Sequence, residues 1–290
     1  MLLGCHVSTA GGLSRAVERG TALRCESIQI FHQSPRMWRP TRYTEEDLAE
    51  FREAMEASPI EAVIVHAVYL INCATADREL RAKSLRSLTH ALRTGDGIGA
   101  AGVVLHPGAR KGEAHGPSMK RAGKVMAEAL AATESCPLLL EQTAGHQGLL
   151  GRDFDETAEL IGLAGGGARL GLCLDSCHLF VQGYDVTDPD SLAAVLDEAD
   201  RKVGLERLGA VHVNDSAAPL GSCRDRHANV GKGEMGRQGL AAFLSEPRFE
   251  GLPATLETPG PERKGPDLRE MRAARRLRRA GLKKRGLAAT

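Results

Sequence analysis

The sequence predicts an α/β fold, a closed (β/α)8 barrel whose functional groups gather at the C-terminal face of its strands. Three observations carry this expectation. Eight short apolar segments alternate at even spacing with amphipathic runs along 290 residues, the pattern of a parallel sheet wrapped by helices. No break in composition and no low-complexity linker divides the chain, so residues 1–290 read as one barrel domain with a basic tail from about 268 to 290. Six of the eight apolar segments end in His, Asp or Glu, and strand ends are where such a barrel places its chemistry. A doubly wound open sheet is the alternative, but strand count and even spacing favour closure.

The strands expected in order are Leu2–Val7, Ser27–Phe31, Ala62–Ala67, Gly102–His106, Pro137–Glu141, Leu170–Asp175, Leu208–Val213 and Pro253–Glu257. Leu170–Asp175 shows the logic most plainly: an apolar run that opens beside glycine and ends in a carboxylate reads as a buried strand emerging at a polar face. Between the strands, residues 45–57, 78–95 and 118–132 carry helical patterning. Thr44 and Ser118 are candidate N-caps and Gly95 a candidate stop. The segment Asn214–Gly236 is long, Gly-rich and polar, and long loops in compact domains are usually functional. The tail at 268–286 reads as a solvated terminal helix packed on the outside of the barrel.

Composition narrows the class. A chain with 42% hydrophobic residues and a formal charge of +1 is soluble and globular, and that charge neither requires nor excludes a nucleic-acid partner. No apolar stretch approaches membrane-spanning length, and the opening MLLGCHVSTAGG lacks a basic start followed by a long apolar core. Seven cysteines lie scattered without a C-x-x-C pair. Free, mostly buried thiols in a reducing compartment are expected, with the cytoplasm as the default.

The strand ends supply His66, His106, Glu141, Asp175, His212 and Glu257. His178 follows Asp175 by three residues, and the long loop adds Asp225 and His227. One histidine at a strand end is usually a hydrogen-bonded structural residue, but independent structural roles would scatter such residues along the elements. Five imidazoles and four carboxylates at one mouth are electrostatically costly without cations. Mixed nitrogen and oxygen donors without a thiolate pattern suit zinc or manganese, and nine donors exceed one ion, so two or three metals are expected. Asp225 and His227, at i and i+2 of an extended segment, point the same way and can grip one ion. Clustered divalent cations suit phosphodiester hydrolysis. His32, His90, His115 and His146 are assigned surface or packing roles, while His6 ends the first strand and can line the site.

The chain resembles the endonuclease IV family of metal-dependent apurinic/apyrimidinic endonucleases. The match runs nearly end to end, through GCHVSTAGGL (4–13), FHQSPRMWRP (31–40), HAVYLIN (66–72), LHPGARKG (105–112), LEQTAGHQG (140–148), GLCLDSCHLFVQGYD (171–185), VHVNDS (211–216), DRHANVGKG (225–233) and LETPG (256–260). The resemblance implies a TIM barrel with three zinc ions, manganese being an alternative at one or more sites. By family pattern His66, His106 and Glu141 hold one ion. Glu141 bridges to a second, shared with Asp175, His212 and Glu257, and His178, Asp225 and His227 hold the third. The implied activity is hydrolysis of the phosphodiester 5′ to an abasic site in duplex DNA, leaving a 3′-hydroxyl and a 5′-deoxyribose phosphate. Glu141 would position a hydroxide nucleophile between the first two ions. The positions matching the family's inserted side chains are Arg36, Tyr69 and Leu70, suited to filling the gap left by a missing base, although Tyr69 and Leu70 also suit ordinary packing.

Departures fall in the DNA-contact motifs: His32–Pro35 before Arg36, Ala67–Val68 after His66, Ala109–Arg110 after the His-Pro-Gly, and Gln142 and His146 around the TAG motif. Every ligand position is filled. Two further classes compete: a metal-dependent sugar isomerase or epimerase on the same barrel, and a non-catalytic protein binding damaged DNA. The filled third set of ligands counts against the first and the intact Glu141 against the second. A monomer with duplex DNA as partner, and no membrane contact, is expected.

Overall fold

The computed structural model describes residues 1–145 and 148–287. The chain runs β1 (Leu2–His6), α1 (Ser14–Ala22), β2 (Ser27–Phe31), α2 (Glu45–Glu56), β3 (Ala62–His66), α3 (Arg78–Ile98), β4 (Gly102–Leu105), α4 (His115–Ala131), β5 (Leu138–Glu141) and α5 (Phe154–Leu163). It continues with β6 (Leu170–Asp175), α6 (Ser176–Gln182), α7 (Pro189–Lys202), β7 (Leu208–His212), the short strands β8 (Asp215–Ser216) and β9 (His227–Ala228), α8 (Gly236–Leu244), β10 (Pro253–Leu256) and α9 (Leu268–Lys284). Strands β1–β7 and β10 close into a barrel in the order β1-β10-β7-β6-β5-β4-β3-β2. Each neighbouring pair is parallel. All eight expected strands are present, with ends shifted by at most one residue.

Alternation along each strand divides two packing zones. Along β2, Ile28 and Ile30 join the large core between sheet and helices, while Gln29 faces the barrel axis. Inside, Ile64, Val104, Leu139, Cys173 and Ala210 form a separate buried cluster. Leu139 fills space that three strands leave open: a Cβ built on Gly102, Gly171 or Gly209 would lie 2.8, 2.6 or 2.7 Å from its methyls. The interior is therefore packed and apolar beneath the mouth.

Helix boundaries follow local chemistry, with two corrections to the sequence reading. Thr44 caps α2 through a full capping box with Asp47, as expected. Gly95 lies inside α3, because a Cβ there would sit 2.5 Å from Cys136 Sγ; the stop is Gly99, at φ 67°. Ser118 lies in the first turn of α4, its hydroxyl donating to Ala114 O at 2.9 Å. That helix starts early because Pro117 occupies a first-turn position, where its missing N–H costs nothing. Helix α9 buries Met271, Ala274, Leu277, Gly281 and Leu282 against the barrel wall. Small residues complete a stripe that the large apolar residues show only in part. No helix among the described residues is long and apolar enough to cross a membrane.

Candidate metal centre

Strand ends, the first turn of α6 and one loop bring all nine expected residues to the same mouth. One donor atom from each of His66, His106 and Glu141 falls within 4.8 Å of the others. The same holds for Glu141, Asp175, His212 and Glu257, and for His178, Asp225 and His227. Glu141 is the hub. His66 Nε2 and His106 Nε2 lie 3.4 and 2.8 Å from its Oε2, and His178 Nδ1 and His212 Nδ1 each lie 3.1 Å from its Oε1. His212 Nδ1 is also 3.4 Å from Glu257 Oε2, and Asp225 stands 3.3 Å from His178 Nε2 and 3.2 Å from His227 Nε2.

Asp175 ends β6 and at once caps α6, so the turn expected to lead into a loop leads into a helix. Its Oδ1 accepts from the backbone N–H of Cys177 (2.6 Å) and His178 (3.0 Å). Its Oδ2 accepts from Asn214 Nδ2 at 2.6 Å. The cap also sets His178 on the first turn of α6, where its ring reaches back to the mouth. Backbone carbonyls fix the imidazoles. His66 Nδ1 donates to Ala67 O (2.7 Å), His178 Nδ1 to Gln142 O (3.0 Å) and His227 Nδ1 to Glu257 O (3.4 Å). A carbonyl only accepts, so each of these rings donates through Nδ1 and turns its Nε2 toward the centre.

The electrostatics of the mouth are those of a charge pair set held out of water. Burial opposes ionisation of Glu141, yet His106 and His212 beside it hold its carboxyl well below the usual range. Burial likewise works against Glu257, but His212 and His66 bring it down to about 2. Burial disfavours charge on His227, but the Asp225 carboxylate 3.2 Å away and the charge of Asp175 raise it to about 9. Against the same burial penalty, His178 and His212 are held well above the ordinary histidine value, first by Asp175 for His178 and by Cys173 and Glu257 for His212. These protons neutralise the same carboxylates that cations would. Nε2 of His66, His178 and His227 and Oε2 of Glu141 are buried without a hydrogen-bond partner among the described residues; His106 Nε2 approaches that oxygen but off a hydrogen-bonding line. Orphaned donor atoms of nitrogen and oxygen type, paired in the His66–Glu141 and His178–His227 sets, fit divalent metal ions.

The mouth opens into a cleft of about 980 Å³ lined by His6, Phe31, Arg36, Tyr69, Glu257 and Lys264, among others. Tyr69 is 61% exposed, its ring centre 5.6 Å from that of Phe31 in an edge-on arrangement. Arg36 is exposed on the loop after β2, whereas Leu70 is half-buried against the core. His32 is buried against Ser87, His90 bonds Thr41 O, and His115 pairs with Glu156 at 2.9 Å. His146 lies outside the described residues.

Sequence reasoning missed four neighbours of the site. Cys177 brings a thiol within donor reach of Asp175 and His227. Asn214 bonds Asp175 and receives the Glu257 N–H at 2.9 Å. Asp215 is buried and accepts from the N–H groups of Ser216, Gly233, Met235 and Gly236, tying down the loop that carries Asp225 and His227. Gln29 reaches His212, Glu257 and His6 from inside the barrel. A polar pair two positions beyond His212 was a usable signal for Asn214 and Asp215.

A parallel barrel with clustered histidines and carboxylates at its mouth defines a class, and the comparisons narrow it. The family model for a xylose isomerase-like TIM barrel matches residues 15–280. A probable endonuclease 4 of Chloroflexus aggregans is 38% identical over 273 residues, covering 93% of each chain. One of Geotalea daltonii is 37% identical over 259 residues, covering 89% of this chain and 91% of its own. The crystal structure of endonuclease IV from Thermus thermophilus superposes with a TM-score of 0.83 at 38% identity, covering 98% of this chain and 100% of that one. A sugar epimerase, the 3-keto-D-glucoside 4-epimerase of E. coli, shares the fold alone, with a TM-score of 0.65 at 13% identity. The chain belongs to the endonuclease IV family of DNA-repair endonucleases, built on the xylose isomerase-like TIM barrel.

Proposed function

We propose that this endonuclease hydrolyses the phosphodiester 5′ to an abasic site in duplex DNA, leaving a 3′-hydroxyl and a 5′-deoxyribose phosphate, with three zinc ions as cofactor. The observation that carries the reading is that the donor atoms of the nine histidines and carboxylates fall into three sets, two of which share Glu141. His66, His106 and Glu141 would hold one ion, Glu141, Asp175, His212 and Glu257 a second, and His178, Asp225 and His227 a third. Divalent cations held there supply Lewis acidity toward phosphoryl oxygens and lower the pKa of water.

The chain's own residues do the rest. The carbonyls of Ala67, Gln142 and Glu257 keep the imidazoles of His66, His178 and His227 in the donor tautomer. The apolar plug around Leu139 keeps water from reaching the donors from below. Arg36 and Tyr69 stand exposed at the cleft beside the donors, where a planar cation and an aromatic ring suit a duplex lacking one base. Leu70 joins them in this proposal as the apolar flank of Tyr69. Residues 1–290 are taken as one domain acting as a monomer, and the seven free thiols support a reducing, cytoplasmic setting.

The test is incision of a duplex oligonucleotide carrying one tetrahydrofuran abasic analogue, with both product ends mapped. A cut 5′ to the lesion that leaves a 3′-hydroxyl is expected. A cut on the other side, or none with zinc shown to be bound, would reject the proposed chemistry.

A further inference from the structure

We propose that Gln29 is a positioning residue that aims His212 and Glu257 at the metal centre, an inference that rests on reading those two residues as ligands. Gln29 sits mid-strand in β2 and is fully buried. Its amide makes three bonds, all to residues of the mouth. Nε2 lies 2.6 Å from Glu257 Oε1 and 3.2 Å from His6 Nδ1, and Oε1 lies 2.8 Å from His212 Nε2.

The sense of these bonds follows from the chemistry of the partners. An ionised carboxylate only accepts, so the Gln29 NH2 must face Glu257 and its oxygen must face His212. Held through Nε2–H, His212 turns Nδ1 to the centre, where as a cation it donates to Glu141 Oε1 at 3.1 Å and as a ligand would offer a lone pair, with Asp175 and Glu257 3.8 and 3.4 Å away. This arrangement is the reverse of that at His66, His178 and His227, which backbone carbonyls hold through Nδ1. A carbonyl cannot be changed by substitution, whereas the orientation of His212 depends on one side chain. The same NH2 occupies Glu257 Oε1, which leaves Oε2 for the centre, and it engages His6 Nδ1.

Gln29 shares the barrel interior with the apolar cluster of Ile64, Val104, Leu139, Cys173 and Ala210. A buried amide among such neighbours is costly unless it is fully bonded, and here the bonds it makes are to the site. With no exposed surface, Gln29 cannot touch DNA.

Gln29→Met keeps the volume and removes all three hydrogen bonds. In chelator competition, the variant is expected to lose about 10–100-fold in affinity for one zinc ion, the scale of outer-shell substitutions. In the zinc-loaded enzyme, kcat for abasic incision is expected to fall by a similar factor while KM for the duplex stays within about twofold, because the change is made beneath the DNA-facing surface. Gln29→Leu should give the same split if methionine brings packing of its own. Wild-type protein that retains no zinc would overturn the ligand reading beneath this inference. Wild type that binds zinc, alongside variants unchanged in zinc affinity and kcat, would overturn the role of Gln29 alone. So would a raised KM at constant kcat.

Discussion

Glu141→Gln removes one negative charge from the atom pair where two of the three donor sets meet, and it leaves the shape of the side chain almost unchanged. Glu141 is 1% exposed, so salt and solvent screen little of what is lost. A unit charge about 4 Å from a cation is worth about 4 kcal/mol at an effective dielectric near 20, roughly a thousandfold in an equilibrium or a rate. If Glu141 bridges two ions as proposed, both feel that loss, so zinc occupancy should fall from three to one at micromolar free metal, and incision should drop by about 10³ or more. The strand itself should survive, since β5 is held by backbone pairing to β4 and β6. Native mass spectrometry would count the ions, single-turnover incision would report the chemical step, and far-UV circular dichroism would confirm the fold. A variant that keeps three ions and cuts within about tenfold of wild type would refute Glu141 as the shared ligand.

Tyr69→Ala should weaken binding to an abasic duplex by about 1–3 kcal/mol, the scale of aromatic stacking on nucleic acid. Because Tyr69 is 61% exposed, stability should change by less than about 0.5 kcal/mol; unchanged affinity in fluorescence anisotropy would remove its wedge role. In chelated protein, His227 is raised to about 9, so its contribution to stability is complete below about 6.5 and is lost as pH rises through about 9. Glu257, lowered to about 2, contributes above its ordinary 4.5 and loses that contribution as pH falls through about 2. The urea midpoint of chelated protein should therefore drop between pH 6.5 and 9, and a flat profile there would contradict the proton bookkeeping of the site. The Asp225 side chain is 46% exposed, whereas those of Glu141, Asp175 and His212 are fully buried. One of three ions should thus leave first under chelator, and Asp225→Ala should abolish that fast phase alone. Three phases unchanged by the substitution would argue against the third set.

The strands were legible because a strand buried on both faces is mostly apolar along its length, and an ionisable residue marks its end. That is why Leu170–Asp175 reads correctly from its residues alone and why His66, Glu141, Asp175 and His212 stand out as strand ends. Helix limits were less legible, since Gly95 and Ser118 carry the right local chemistry for an end and a cap. One override is tertiary, since Cys136 occupies the space beside Gly95; the other is local, since Pro117 moves the start of α4 ahead of Ser118. Gln29 was invisible for a related reason. Its segment reads as an ordinary strand with two polar residues, Ser27 and Gln29, and its partners His212 and Glu257 lie 183 and 228 positions away. A sequence reports the donors because metal chemistry restricts residue type. It does not report what aims them, since an amide inside a strand has many bland uses.

The donors divide by how they are held, and this division explains the architecture of the mouth. His66, Glu141, Asp175 and His212 end barrel strands, so closure of the sheet sets their spacing before any ion is present. Asp225 and His227 ride on a loop that would pay a large ordering entropy if it were free. The loop is instead pinned at both ends. Its start pairs with its middle through β8 and β9, and the buried Asp215 carboxylate collects four N–H groups from its two arms. A Cβ on Gly233 would lie 2.1 Å from Ser216 O, so the two arms meet only where a side chain is missing. The loop thus brings donors of its own to strand-held ones at nearly strand-like cost, while leaving Asp225 at the solvent edge. Rigid donors beneath and a tethered, accessible donor above are what a centre needs when it must keep its ions and still admit a polymer from one side.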